Sequence, residues 1–366
     1  MTKLMPTPRS VDLEITSRCN ARCRYCYYLN NEGVTYEDLP AEKWLDFFRE
    51  LGRAKVMYVC VAGGEPFVRR DIFDLFEGIK ENRMRFQVLT NGRLVTRDVA
   101  RRLRETGRIY SIQVSLDGST AEIHESLRGR GSFEPALRAI RFLTEEGLPL
   151  TVRVTVHAGN IDDLPAVARL LLEEYRLPSF STNTVSALGT KSKYDDGIFL
   201  SPVQRLKAMK TLAELDERYP GRILADAGPL AEWKMFQEME RARAKGRAIP
   251  GRGFLVGCGC VFQRLSVRSD GAYVPCVMLP QVVLGWIGRD RIEDIWLHSP
   301  VLRSMRERRD RRLSSFAECQ GCEYAGSCTG NCPGTAYSLL GDIDRPSPEG
   351  CLRKFKRDLA SEGVTL

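Results

Sequence analysis

Long apolar runs are missing from this 366-residue chain. No stretch reaches the roughly 18 residues that a membrane-spanning helix requires. The opening, MTKLMPTPRSVDLEI, lacks the apolar centre of a signal peptide, so a cytoplasmic protein is expected. Histidine is scarce: His124, His157 and His298 are the only three, which removes most histidine-based metal chemistry from consideration. Internal repeats and low-complexity tracts are absent, which excludes solenoids and disordered spacers. Charge of one sign is not concentrated. Lysine and arginine number 55 against 47 acidic residues, and the net +8 is spread widely, as on a solvated basic surface.

Cysteine is what the chain has in excess. Twelve are present, and in a reducing compartment they are poorly explained by disulfides. Metal ligation is the physical alternative, and spacing decides it.

From Val11 to about Phe180, short apolar runs alternate with amphipathic stretches. VDLEIT, VMYVCVAG, FQVLTNG, SIQVSLDG and VRVTVHAGN have the composition of strands. AEKWLDFFRELGR, IFDLFEGIKEN, RDVARRLRETG and FEPALRAIRFLTEEG carry apolar residues at helical spacing between them. Such alternation implies βα units on a parallel sheet, with functional loops after the C-terminal ends of the strands. Residues 181–251 read as a polar loop and two helices, without a catalytic pattern. After Gly257 the texture turns to glycine, short turns and eight of the twelve cysteines. The chain accordingly divides into 1–185, a helical bridging region at 186–250, and a cysteine-rich domain at 251–366.

Cys19-x3-Cys23-x2-Cys26 follows the first strand directly. Three close thiolates can hold three irons of a [4Fe–4S] cube and leave the fourth open to a ligand. Zinc held by three cysteines and a histidine is the competing reading, but every histidine lies far away in sequence. With Tyr25 before the last cysteine, the spacing resembles the signature of the radical S-adenosylmethionine (SAM) superfamily. Other matches follow in that family's order. Gly63, Gly64, Glu65 and Pro66 resemble the segment that meets the methionine amino group, where glycine lets backbone carbonyls come close. The stretches SLDG and HESLRG resemble the segment that binds ribose and the methionine carboxylate. The resemblance makes Ser115 and Asp117 polar contacts, Arg128 a fork for the carboxylate, and Asn91 a further cofactor contact. It covers about residues 10–185 and implies an α/β fold, a partial (β/α)6 barrel. His124 is expected to order its loop, and Cys60, inside an apolar strand, to be a core thiol.

The C-terminal pattern is Cys258-x-Cys260, Gly271-x4-Cys276, a gap of 42 residues, Cys319-x2-Cys322-x5-Cys328-x3-Cys332, then Cys351. It resembles the SPASM domain, a two-cluster extension of radical SAM barrels. The likeness assigns Cys258, Cys260, Cys276 and Cys332 to one auxiliary iron–sulfur cluster, and Cys319, Cys322, Cys328 and Cys351 to the other, both of the [4Fe–4S] type. The single residue between Cys258 and Cys260 is shorter than in many such domains, which leaves open whether both ligate.

The resemblance implies a radical SAM oxidoreductase. A reduced cluster on the three-cysteine loop cleaves SAM, and the 5′-deoxyadenosyl radical removes hydrogen from a substrate C–H bond. The substrate expected first is a ribosomally synthesised precursor peptide, cross-linked or oxidised; RSVDLEITSRCN, FSTNTVSALG and GCGCVFQRLSVRSDGAYVPCV are similar to maturases of SynChlorMet-type peptide cassettes. A dehydrogenase or epimerase of a sugar or aminocyclitol is the alternative. Ten residues before the first strand leave no room for a peptide-binding winged helix, so a separate leader-recognition protein is an expected partner. A ferredoxin or flavodoxin is expected as reductant, and neither membrane nor nucleic acid is expected. A zinc-stabilised nucleic-acid binder would use the charge and the cysteine pairs but leave GGEP unexplained. No catalytic base is identified. Cys276 is followed by Val277, Met278 and Leu279, where the sulfatase-maturing relatives carry an aspartate base, so formylglycine formation is not expected. Asp226 and Asp270 are the candidates for a base supplied from elsewhere.

Overall fold

The computed structural model describes residues 4–26, 36–186 and 197–366. Six parallel strands run in sequence order: β1 (Ser10–Glu14), β2 (Tyr58–Ala62), β3 (Arg85–Thr90), β4 (Ile109–Ser115), β5 (Leu150–Val156) and β6 (Phe180–Thr184), followed by a short parallel β7 (Ile223–Leu224). The helices α1 (Ala41–Arg53), α2 (Ile72–Glu81), α3 (Arg97–Glu105), α4 (Ala121–Arg128), α5 (Phe133–Glu145) and α6 (Leu164–Arg169) connect them. Each connection is a βα crossover, which puts all the strand C-termini at one end.

Local sequence explains these elements. In α1, Trp44, Phe47, Phe48 and Leu51 recur at helical spacing and are buried against the sheet. Thr96 accepts from the Val99 N–H to start α3, and Thr120 accepts from Ile123 to start α4. The strands alternate. Val11, Leu13, Val59, Val61, Val88, Val114 and Val152 enter the main core, whereas Asp12, Cys60, Gln113 and Arg153 face the interior of the curved sheet. Cys60 is therefore not among the core side chains. It pairs with Asp12 across the strands, and burial pushes its thiol up, with Asp12 adding to the effect.

Two features differ from the sequence reading. Phe180–Thr184, the start of the presumed polar loop, is β6; Phe180, Ser181 and Thr182 are buried while Asn183 faces the interior. In addition, the C-terminal segment continues the same sheet. Its strand β8 (Arg264–Val267) pairs parallel with β1, and β9 (Ala272–Val274) and β10 (Gly285–Trp286) extend it antiparallel, giving ten strands in the order β10-β9-β8-β1-β2-β3-β4-β5-β6-β7. The bridging helices α7 (Pro202–Arg218) and α8 (Gly228–Ala244) share a second core with the C-terminal helix Leu352–Ser361, built from Leu206, Met209, Phe236, Met239, Tyr324, Leu352, Phe355 and Leu359. Part of FSTNTVSALG, residues 187–189, lies outside the described residues.

Candidate functional site

The motif segments of the barrel follow the C-terminal ends of its strands: Cys19–Cys26 after β1, Gly63–Pro66 after β2, Asn91 after β3 and Asp117–Arg128 after β4. Asp38 anchors the start of the cysteine loop: it accepts from Thr16 Oγ1 at 2.5 Å and from the Ser17 N–H at 2.6 Å. The GGEP backbone then clamps the loop, with Gly64 N–H donating to the Thr16 carbonyl at 2.8 Å and Glu65 N–H to Arg18 at 2.9 Å. A Cβ on Gly64 would sit 2.1 Å from the Arg18 carbonyl oxygen, and one on Gly63, at φ +125°, would sit 2.4 Å from that of Thr16. These glycines are thus required by the cysteine loop's own backbone. Glu65 is buried and ties β2 to β3, accepting from Thr90 Oγ1 at 2.8 Å and Asn91 N–H at 2.7 Å; burial pushes its carboxyl up to about 7 against those bonds. Pro66 opens the following 3-10 turn. The Asn91 amide lies 3.8 Å from the Cys19 sulfur and donates to Asn20 at 2.8 Å.

Asp117 is the hub of the β4 end. It is fully buried and accepts from Arg128 Nε at 2.5 Å, Tyr25 Oη at 2.5 Å and Thr155 N–H at 2.8 Å. Burial opposes its charge, but the Arg128 guanidinium and these donors hold its carboxyl below the usual range. Tyr25, Ser115 and Arg128 line a cavity of about 670 Å³; Asp117 stands behind them. His124 Nδ1 accepts from the Asp117 N–H at 3.1 Å, so the ring orders this loop as a neutral imidazole.

That histidine gives a pH signature. Burial pushes His124 down to about 4, whereas an unfolded histidine takes its proton near 6.5. Between those values the unfolded chain binds more protons, so stability falls as pH drops from about 6.5 to 4, by about 3 kcal/mol from this ring. Buried His157, also held down by burial, acts in the same direction. Buried Glu65, pushed up to about 7, acts in the opposite direction over the same range, so the histidine contribution is read as the difference in pH slope between parent and His124→Gln in denaturant titrations.

The cavity runs from these residues to the C-terminal domain, where Met278, Thr329, Asn331, Cys332 and Glu349 form the far wall. Its charged lining includes Arg153, Asp226, Glu232 and Glu349. Sequence reading missed Arg153. Its Nε donates to Gln113 at 3.1 Å, and no ion pair engages it among the described residues. Its only signal in sequence is an arginine amid a β-branched strand. Arg128, by contrast, already has Asp117 on its fork. Of the two alternative bases, Asp226 lines the cavity and Asp270 is tied to Arg268 at 2.5 Å.

The eleven motif thiols gather in three sets. Cys19, Cys23 and Cys26 lie near enough to feel one another's charge. Cys260 stands 3.0 Å from Cys258 and within reach of Cys276, and Cys332 feels both Cys258 and Cys276. Cys319 and Cys328 feel Cys322, Cys351 and each other. Among the described residues, no three His, Cys, Asp or Glu side chains form a cage for a single ion. The fit to iron–sulfur groups rests on donor chemistry. Burial pushes Cys23 up to about 11 and Cys319 up to about 12, so these thiols stay protonated unless a cationic group holds them as thiolates. All eleven are partly accessible, and no disulfide consumes them.

The chain resembles known proteins in both halves. Residues 13–171 match the radical SAM superfamily, and residues 258–323 match the SPASM iron–sulfur cluster-binding domain. The AdoMet-dependent heme synthase of Methanosarcina barkeri is 26% identical over 98% of this chain and all of its own length. Mycofactocin maturase MftC of Mycolicibacterium smegmatis is 27% identical over 95% of this chain and 87% of its own. Among solved structures, Streptococcus suis SuiB bound to its precursor peptide SuiA superposes with a TM-score of 0.72 over 95% of this chain and 77% of SuiB; at 16% identity the likeness is one of fold.

Proposed function

Because this chain is a radical SAM enzyme with a SPASM domain, we propose that it oxidises or cross-links a ribosomally made precursor peptide in the 670 Å³ cavity. The observation that carries the proposal is the span of that cavity, from Tyr25, Ser115 and Arg128 on the barrel to Cys332 and Met278 of the C-terminal domain. A substrate seated there touches both halves. The similarity to mycofactocin maturase supports a peptide.

Cys19, Cys23 and Cys26 would hold a [4Fe–4S] cluster, and the two sets of four would hold the auxiliary clusters. Such a cluster, once reduced, would supply the single electron that releases a hydrogen-abstracting radical from bound SAM. The protein positions the reactants and keeps water out. Gly63 and Gly64 admit the loop backbone, and Asn91 steadies the loop beside Cys19. Asp117 locks Tyr25 and Arg128 at the cavity wall and so acts as a positioning residue. Arg153 would offer a fork without an ion-pair partner for a carboxylate of SAM, a role that the family resemblance assigned to Arg128.

Met278 lines the cavity and cannot accept a proton, and Val277 beside it cannot either. The reaction we propose therefore begins and ends on carbon. Asp226 is the cavity carboxylate that would serve if a base is needed.

A second reading has support of its own, since the heme synthase matches over its whole length. The Arg153 fork would take a propionate as readily as the carboxylate of SAM, and Glu232 is paired with Arg205 at 2.5 Å, so substrate turnover separates the two readings. Anaerobic incubation with reductant, SAM and candidate precursor peptides, followed by mass spectrometry, tests the proposal. A loss of about two mass units is expected for oxidation or cross-linking. Turnover of a tetrapyrrole or sugar with every peptide unchanged would overturn it. Sulfatase-derived peptides should yield no formylglycine.

A further inference from the structure

Away from the cavity, one buried cation lacks adequate company. Arg308, on the 3-10 turn Arg308–Asp310, is 3% exposed, and its Nε and Nη2 have no hydrogen-bond partner. The nearest carboxylate, Asp344, stands 3.7 Å from Nε and also serves Arg311 at 3.2 Å. Hiding a guanidinium in this way costs several kcal/mol unless opposing charge lies nearby. What lies nearby is sulfur. Arg308 lines a pocket of about 220 Å³ with Cys258 and Cys260, and it faces the charge that Cys258 and Cys332 would carry. As neutral thiols these groups offer the guanidinium almost nothing.

The neighbouring cations are better engaged. Arg306, in the same pocket, donates to the carbonyls of Val261 and Trp296 and leaves only its Nη2 without a partner, Arg309 lies over the Phe262 ring, and Arg264 meets Asp12 at 3.4 Å. At the other four-thiol set Glu318 adds to the sulfur charge around Cys319, and the cations nearby already have partners: Arg345 pairs with Glu318 at 3.0 Å and Arg353 donates to the Gln320 carbonyl at 3.1 Å.

We propose that Arg308 is the built-in counter-charge and N–H donor for the auxiliary group on Cys258, Cys260, Cys276 and Cys332, and that it raises the reduction potential of that group above that of its companion. The proposal rests on reading those cysteines as cluster ligands. Reduction adds negative charge to a site that already carries four thiolates, and a fixed cation stabilises the reduced form most. Arginine keeps its charge at every working pH, so the effect does not titrate away.

The test is an anaerobic redox titration followed by electron paramagnetic resonance, in a Cys19→Ala/Cys23→Ala/Cys26→Ala background so that only the two C-terminal groups respond. Arg308→Gln should lower one midpoint by about tenfold in the reduction equilibrium, which is about 59 mV for one electron, and leave the other in place. Arg308→Lys should stay near the parent, and exposed Arg101→Gln should change nothing. Two unmoved midpoints in an iron-replete Arg308→Gln protein would overturn the proposal. If the glutamine variant loses iron, the lysine variant decides: full iron at the parent potential supports a charge role, and equal iron loss reduces Arg308 to packing. A parent protein without iron would instead sink the cluster reading itself.

Discussion

Replacing Cys19, Cys23 and Cys26 together with alanine is expected to abolish release of 5′-deoxyadenosine from SAM while the protein stays folded. The loop that carries them leaves the end of β1 and is held by backbone bonds that do not involve the sulfurs: Gly64 to Thr16, Glu65 to Arg18, and Arg24 N–H to the Leu127 carbonyl at 2.8 Å. None of the three thiols belongs to a hydrophobic core, so their loss leaves packing intact. The C-terminal thiols are placed differently. Cys260 packs on the main core, and Cys322 and Cys328 pack on the second core, where the chain has little regular structure of its own. Their replacement should give insoluble or iron-depleted protein, because a metal group there would contribute to folding itself. Reductant-driven SAM cleavage by the triple variant, measured by chromatography, would remove the role assigned to the loop. In the parent, about twelve irons per chain are expected, four for each thiol set.

Asp117→Asn is expected to produce the largest loss of stability of any single change at the site, about 3–5 kcal/mol. The carboxylate is fully buried and is met by the Arg128 guanidinium, the Tyr25 hydroxyl and the Thr155 N–H. An amide keeps the shape but removes the charge, and it turns an N–H₂ toward donors. Arg128 is then a buried cation without its partner, and the Tyr25 hydroxyl loses the acceptor that fixes it at the cavity wall. Anaerobic urea unfolding of the iron-replete parent and variant, compared under the same conditions, measures the change. A difference below about 0.5 kcal/mol would show that Arg128 finds compensation elsewhere. Ser115→Ala should be nearly neutral in the same experiment, since Ser115 faces the cavity without tying strands together.

The five strand and four helix patterns up to Asn160 were legible because both periodicities are local. Helix faces such as Trp44, Phe47, Phe48 and Leu51 recur at fixed spacing whatever they pack against. The close thiol spacings were legible for a related reason, since they point to ligation before any fold is known, whereas the grouping of Cys332 and Cys351 with distant thiols came from the family resemblance. β6 was not legible, because Ser181, Thr182 and Asn183 read as a polar loop while the edge of β5 fixes them as a strand. The contact of β8 with β1 was equally hidden. Ser10 pairs with Arg264 across more than half the chain, and no local pattern encodes a partner so distant.

What the sequence determined alone is thus the βα rhythm, the close thiol spacings and short motifs that carry the family likeness, and the lack of a base after Cys276. All of these are properties of neighbouring residues. Tertiary structure decided which charges are free to act. It joined Arg128 to Asp117 and left Arg153 facing the cavity, and it buried Arg308 beside Cys258. A side chain's partner is set by the strand or turn that packs opposite it, and a chain of residue types does not carry that information until it has folded.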